Sequence, residues 1–289
     1  MRLPILAAGL LAVSLLAPQE QQQAAFRSTI DLVPVFATVM APDGSPARGL
    51  TKDDFVVLDN GKPQEIVSFS GEAQDISVAV VLDTSSSMAE ALPRVFAAAS
   101  AFLDNLLPAD RAMVSSLFFQ GPPFTSDKSR LRTSLSLLPP DPGSPIYSAL
   151  DRSLSALSLE SNRRVVVIYT DGKNRDLKGL GSVSPTASSI LSRVESGAVM
   201  TYAIGFEGVP LSKDMKMIAK RSGGRATDLT RSDDLAAALT AIADELHHQY
   251  LLGFTPTAFD GKAHTIDVSV KPAGLSVRAR QAYLARKGS

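Results

Sequence analysis

The sequence predicts an α/β protein: a doubly wound, mostly parallel central sheet with helices on both faces, inserted in a small β-sandwich built from the N- and C-terminal segments. Three observations carry this expectation. Between residues 73 and 248, solidly apolar runs such as Ile76 to Leu82 and Val165 to Ile168 alternate with amphipathic helical stretches, the pattern of parallel strands covered on both faces. On either side of that stretch the chain reads as short strands separated by Gly and Asp/Asn turns. The two flanking pieces also differ in charge: residues 26–75 carry eight acidic and four basic side chains, residues 261–289 one acidic and six basic. Neither piece buries a core easily by itself, so the two are expected to pack together.

The elements follow in order. Arg2 precedes an uncharged run, Leu3 to Ala17, and then the polar stretch Gln19 to Gln23, the layout of a secretory leader. The run is shorter than the roughly 20 apolar residues of a membrane span. Residues 1–25 are therefore read as a signal peptide, the mature chain as beginning near Phe26, and the product as exported, periplasmic or secreted. In residues 26–72, strands are expected at Ile30 to Val39, Phe55 to Leu58 and Gln64 to Phe69, with Asn60-Gly61 as the hairpin turn, since both positions tolerate positive φ. In residues 73–248, strands fit Ile76 to Leu82, Ala112 to Phe119, Arg164 to Tyr169, Val199 to Ile204 and Ala226 to Leu229. Helices fit Met88 to Leu107, Lys128 to Leu138, Pro145 to Leu157, Pro185 to Ser196, Ser212 to Ser222 and Asp233 to His248. In residues 249–289 strands return at Tyr250 to Phe254, Thr265 to Val270 and Leu275 to Tyr283.

Composition excludes several functions. The 289 residues hold no cysteine, which removes disulfide scaffolds, thiol nucleophiles and thiolate zinc sites. With 29 basic and 29 acidic residues the chain lacks the basic excess of a protein held to nucleic acid by phosphate contacts. No hydrolase Gly-x-Ser-x-Gly, phosphate-binding glycine loop or zinc-type histidine spacing is present, so no enzymatic machinery is expected.

What remains is a set of oxygens at strand ends. The run Ile76 to Leu82 leads into Asp83-Thr84-Ser85-Ser86-Ser87, where Asp83, Ser85 and Ser87 alternate and can converge. The run ending at Tyr169 leads into Thr170-Asp171-Gly172, and the loop Pro142-Gly143-Ser144-Pro145 adds a hydroxyl just before a helix. Ligands of open α/β sheets collect at the carboxyl ends of strands. Carboxylates and hydroxyls without imidazole or thiolate suit magnesium, manganese or calcium and suit zinc poorly.

The Asp-x-Ser-x-Ser motif, the hydroxyl loop and the distant strand-end aspartate resemble the metal-ion-dependent adhesion site of the von Willebrand factor type A fold, over about residues 73–248. The flanks Gly49 to Phe55 and Gln249 to Pro256 resemble a bacterial exported subfamily of such proteins. The resemblance implies that Ser85 and Ser87 bind a divalent metal through their hydroxyls and that Asp83 and Asp171 bind it directly or through water. Ser144 stands where the family has threonine. It further implies a protein partner whose Asp or Glu completes the coordination, with Gly121 to Asp127 and Asp171 to Ser184 as the contacting loops.

Each feature has a plainer reading. The three serines can simply cap the following helix. Asp171-Gly172 can be a turn. Asp83-Thr84-Ser85-Ser86 resembles the active-site sequence of pepsin-like aspartic peptidases, which pair two aspartates but are almost wholly β. A structural scaffold with a vestigial site is the third alternative. His247 and His248 read as helix-end or surface residues, and Arg163-Arg164 as internal charge or solvated surface.

Overall fold

The α/β layer and the flanking strands are built from one continuous sequence of elements. The computed structural model describes residues 32–172, 174, 184–231 and 234–287; the expected signal peptide lies outside the described residues. The first strands are β1 (Val33–Met40), β2 (Phe55–Asp59), β3 (Lys62–Gln64) and β4 (Ser68–Ser70). The α/β layer runs β5 (Ile76–Leu82), α1 (Leu92–Asp104), β6 (Arg111–Ser116), α2 (Lys128–Ser136), α3 (Ile146–Leu157), β7 (Arg163–Thr170), α4 (Ala187–Gly197), β8 (Met200–Gly205), α5 (Lys213–Arg221), β9 (Ala226–Asp228) and α6 (Leu235–His247). Then follow β10 (Tyr250–Phe254), β11 (Ala263–Val270), β12 (Ser276–Arg278) and β13 (Ala282–Leu284).

The central sheet has the order β6-β5-β7-β8-β9, with every pair parallel. Every residue of β5 is buried because helices cover both faces. Ile76, Val78, Val80 and Leu82 point to one side, against Val95 and Phe102 of α1, Leu131 of α2 and Leu239 of α6. Ala79 and Val81 point to the other, against Leu150 of α3, Val194 of α4 and Ile218 of α5. The strand order reverses between β5 and β7, which makes the carboxyl ends of those two strands the topological switch point. Outside β6 the sheet continues only as an isolated antiparallel bridge between Ala112 and Thr125. Gly121 lies so close to the strand there that a Cβ would come within 1.8 Å of the Val114 carbonyl oxygen. Among the described residues no helix is long and apolar enough to cross a membrane.

The flanking strands form two four-stranded antiparallel sheets, β12-β1-β10-β4 and β13-β11-β2-β3. Each combines strands from before and after the α/β layer: β1 pairs with β10 and β12, and β2 with β11. Val35, Val39, Phe55, Val57, Leu252, Phe254, Ile266 and Tyr283 fill the space between them. The hairpin turn stands at Asn60-Gly61, both with positive φ. Two expected strands are each split. Gln64 to Phe69 divides into β3, which extends the hairpin, and β4, which joins β10 in the other sheet. Leu275 to Tyr283 likewise divides between β12 and β13, one in each sheet. A strand reading cannot register a crossing between sheets, because both halves keep the same local pattern.

The expected charge match between the flanking pieces is met in part: among the described residues His264 pairs with Asp59, 2.8 Å apart, and Lys271 attracts the Asp54 carboxylate, while Arg278 turns to Glu245 of α6. Glu245 is buried and also accepts from Thr38 at 3.1 Å and from the Tyr202 hydroxyl. Gln249, between α6 and β10, donates to Thr38. This polar cluster joins α6 to strands of the sandwich. His247 is not a surface residue: its Nε2 lies 2.8 Å from Asp110 Oδ2, and Asp110 also accepts from the Ile76 and Leu107 backbone amides. Arg163 is buried, donating to the Leu246 carbonyl with its guanidinium 4.8 Å from the Phe36 ring centre.

Candidate metal centre

β5 ends at Leu82, and its ladder partner in β7 is Tyr169, so Asp83 and the Thr170-Asp171 pair leave the sheet side by side. The Asp83 amide still donates to the Tyr169 carbonyl at 2.9 Å, which holds Asp83 at the last rung. Its carboxylate is fully buried. Oδ1 accepts from the Ser85 amide at 3.0 Å and the Ser85 hydroxyl at 2.5 Å, and Oδ2 accepts from the Thr170 hydroxyl at 2.8 Å. The Ser85 and Ser87 hydroxyl oxygens are 3.2 Å apart, and Ser87 donates to Asp171 Oδ2 at 3.3 Å. Asp83, Ser85, Ser87 and Asp171 thus form one continuous chain of oxygens across the switch point.

Burial pushes the Asp83 carboxyl above its ordinary value; hydrogen bonds from Ser85 and Thr170 oppose that rise, and the neighbouring Asp171 charge adds to it.

No family model and no curated protein matches the chain. Among solved structures, a von Willebrand factor type A protein from Catenulispora acidiphila superposes with a TM-score of 0.51 at 10% identity, over 90% of this chain and 75% of that one. Proximal thread matrix protein 1 from the mussel byssus superposes with a TM-score of 0.50 at 16% identity, over 72% of this chain and 50% of that one. A second structure of the mussel protein, with a zinc-occupied metal-ion-dependent adhesion motif, superposes with a TM-score of 0.50 at 18% identity, over 64% of this chain and 48% of that one. The chain has the von Willebrand factor type A fold. The match covers only about half the length of the mussel protein.

Within this von Willebrand A fold the serines do not cap a helix. Ser85 precedes a short 3-10 turn, Ser86–Met88, but its hydroxyl makes no capping bond and turns to Asp83 instead. The expected helix from Met88 begins only at Leu92, with Pro93 in its first turn and Ala91, which has no side-chain cap, before it. Asp171-Gly172 does form a turn: Gly172 has φ +73 and would crowd the Leu211 Cα at 3.2 Å if it carried a Cβ.

Ser144 is buried in the loop before α3, and its hydroxyl makes no hydrogen bond with another described residue. Pro145, at φ −79 and ψ 69, and the 2.9 Å bond from the Ile146 amide to the Ser144 carbonyl make an inverse γ-turn that stiffens this loop. No hydrogen bond ties Ser144 to the other four residues. Of the expected contacting loops, residues 173 and 175–183 lie outside the described residues.

The residue that sequence reasoning missed is Asp141. It is buried, and its carboxylate accepts from the Thr84 amide at 3.2 Å, the Leu117 amide at 3.0 Å, the Phe118 amide at 3.0 Å and the Ser116 hydroxyl at 2.6 Å. It pins the Asp83–Ser87 turn, the end of β6 and the Ser144 loop to one another. Nothing in its local pattern marks it, because its partners come from two stretches of chain distant from it in sequence.

The donor set fits a hard cation. Among the described residues no three His, Cys, Asp or Glu side chains cluster as a metal centre. The strand ends instead offer two carboxylates that meet through serine hydroxyls and, on the neighbouring loop, the Ser144 hydroxyl, which bonds to no other described residue. Two nearby carboxylates, one fully buried, are a costly arrangement that a cation between them relieves.

Proposed function

We propose that this chain is an exported, divalent-metal-dependent protein-binding module, not an enzyme, in which an aspartate or glutamate of the partner completes the metal's coordination. The observation that carries the reading is the unbroken run of Asp83, Ser85, Ser87 and Asp171 oxygens at the switch point. Ser85 and Ser87 would hold the ion through their hydroxyls, Asp83 and Asp171 directly or through water, and Ser144 from the loop before α3. The bound ion supplies an electrophilic centre for a partner carboxylate. The rest is the chain's own work: Thr170 holds Asp83 in place, and Asp141 holds the serine turn against β6.

Magnesium, manganese and calcium suit oxygen donors. The mussel protein's zinc-occupied motif makes zinc a further ion to test, against the expectation from donor hardness alone. The Asp171 to Ser184 loop and Gly121 to Asp127 are the proposed contact surface.

Thermal melts of the full chain with each ion against excess chelator test the reading. A ligand of the folded state at a hundred times its dissociation constant stabilises by about 2.7 kcal/mol, so the midpoint should rise, and Asp83→Ala should abolish the rise. An unchanged midpoint in the wild type, or an equal rise in Asp83→Ala, would leave a scaffold with no working metal site. Capture of a partner from envelope or secreted extract should then depend on the ion and be lost in chelator.

A further inference from the structure

One asparagine of the sandwich carries chemistry that the candidate metal centre does not use. Of the four asparagines in the chain, Asn60 alone is followed by glycine, and the pair forms the two-residue turn between β2 and β3, with φ +49 and +77. Both residues are exposed. The backbone nitrogen that follows an asparagine is tethered within reach of its carboxamide carbon, because the two close a five-membered ring. Glycine leaves that nitrogen open, where any other residue shields it with a side chain.

The neighbouring strand acts on the carboxamide. β11 runs antiparallel to β2 and places Thr265 opposite Asn60. The Asn60 amide donates to the Thr265 carbonyl at 3.0 Å, but the Thr265 amide donates to the Asn60 side chain, to Oδ1 at 2.9 Å. The Thr265 hydroxyl donates to the same oxygen at 3.2 Å. A backbone amide only donates, so the atom it meets is the carboxamide oxygen and not the nitrogen. The carboxamide nitrogen makes no hydrogen bond among the described residues, and neither does the Gly61 amide. Gly61 and Thr265 both line a cleft of about 740 Å³ beside β11, which gives water access to the turn. The electrophile is thus held and polarised, while the nucleophile and the leaving group are free.

We propose that Asn60 is a deamidation site of the folded protein, with Thr265 as its oxyanion donor. The Gly61 nitrogen gives its proton to hydroxide from solvent and bonds to Asn60 Cγ, and the negative charge gathers on Oδ1, under the two Thr265 donors. As that electron pair returns, the bond from Cγ to the carboxamide nitrogen breaks; the nitrogen leaves as ammonia after taking a proton from water, which regenerates the hydroxide. Water then opens the cyclic imide at either carbonyl and leaves aspartate or isoaspartate at residue 60. Donors already placed where an oxyanion forms lower the barrier without rearranging. Aspartate keeps an oxygen for both donors. Isoaspartate adds a backbone carbon to a turn that closes in two residues, which disturbs the pairing of Asp59 with Lys62.

The test incubates the full chain in neutral buffer, folded and in guanidinium, and follows the mass gain of amide-to-acid conversion by peptide mapping. Chromatography separates the isoaspartyl and aspartyl forms. The expected result is conversion at residue 60 in the folded chain. Thr265→Val should slow it about fivefold, the loss of one hydrogen bond of about 1 kcal/mol, and should leave the rate in guanidinium unchanged. Thr265→Ser keeps the hydroxyl and should keep the folded wild-type rate. Thr265 is exposed, so both variants retain the fold. Asn60 that stays intact in the folded chain while it converts in guanidinium would show that the hydrogen bonds protect the carboxamide. Equal folded rates for the wild type and Thr265→Val would show that the hydroxyl takes no part. Either result overturns the proposal.

Discussion

A single buried carboxylate carries most of the chemistry of the candidate site. Asp83 is held at the end of β5 with its pKa raised by burial. An acid whose folded pKa lies above its unfolded value, about 3.9, adds stability only while protonated; that contribution is lost as pH rises through the folded value. In chelator at pH 7, Asp83→Asn should therefore melt above the wild type, and added metal should reverse the order; identical midpoints in chelator would contradict the electrostatic account. Asp141 is a different kind of residue, its carboxylate held by four donors of the chain itself. Asp141→Ala leaves the buried Thr84 and Leu117 amides unpaired, each worth about 1–3 kcal/mol. Urea unfolding should show a loss of that size even in chelator. Gly121→Ala tests a backbone contact: the added methyl must displace the Val114 carbonyl, at a cost of about 1–3 kcal/mol or more. The alternation of Asp83, Ser85 and Ser87 was readable as a converging set, whereas Asp141 was not, since it gains its role only from groups distant in sequence.

Helix α6 and strand β10 form the seam of the molecule. Glu245 on α6 meets Arg278 of β12, Thr38 of β1 and Tyr202 of β8, and Gln249 leads directly into β10. Arg278→Met removes the cation and leaves a buried charge, a loss of about 3–5 kcal/mol by comparison with broken buried pairs. Adding Glu245→Gln should recover part of it, measured as the difference between the single and double variants. No recovery would mean that Arg278 matters through its bond to the Gly223 carbonyl instead. The helical and strand periods identified nearly every element, and boundaries moved by a few residues. The elements misread were those that change sheets, β3 to β4 and β12 to β13.

At the scale of the whole chain, β1 sits between β10 and β12, and β2 between β3 and β11. Ending the chain after His248 strips β1 of both neighbours, so the remaining residues before Ile76 should lose amide protection throughout, read by hydrogen exchange. We further propose that residues 73–248 form an inserted unit that folds alone, since two apolar clusters lie wholly within the α/β layer apart from a peripheral contact with Phe36. Protected amides in β5 and β7 of that fragment are the expected result, and insoluble material counts against insertion. Glu245→Gln should help the fragment, because its Arg278 and Thr38 partners are then gone.

The sequence by itself determined the α/β alternation, the burial of β5 and β7, and the collection of hydroxyls and carboxylates at their ends. All of these are local: a period of two or 3.6, a run of apolar residues, an Asp or Ser at its close. Only the tertiary structure decided that the serines face carboxylates instead of capping a helix, that Asp141 binds three loops together, and that the basic strands face α5 and α6. Those outcomes depend on which segments become neighbours across dozens of residues. The total of charges along a segment does not say which way its side chains turn.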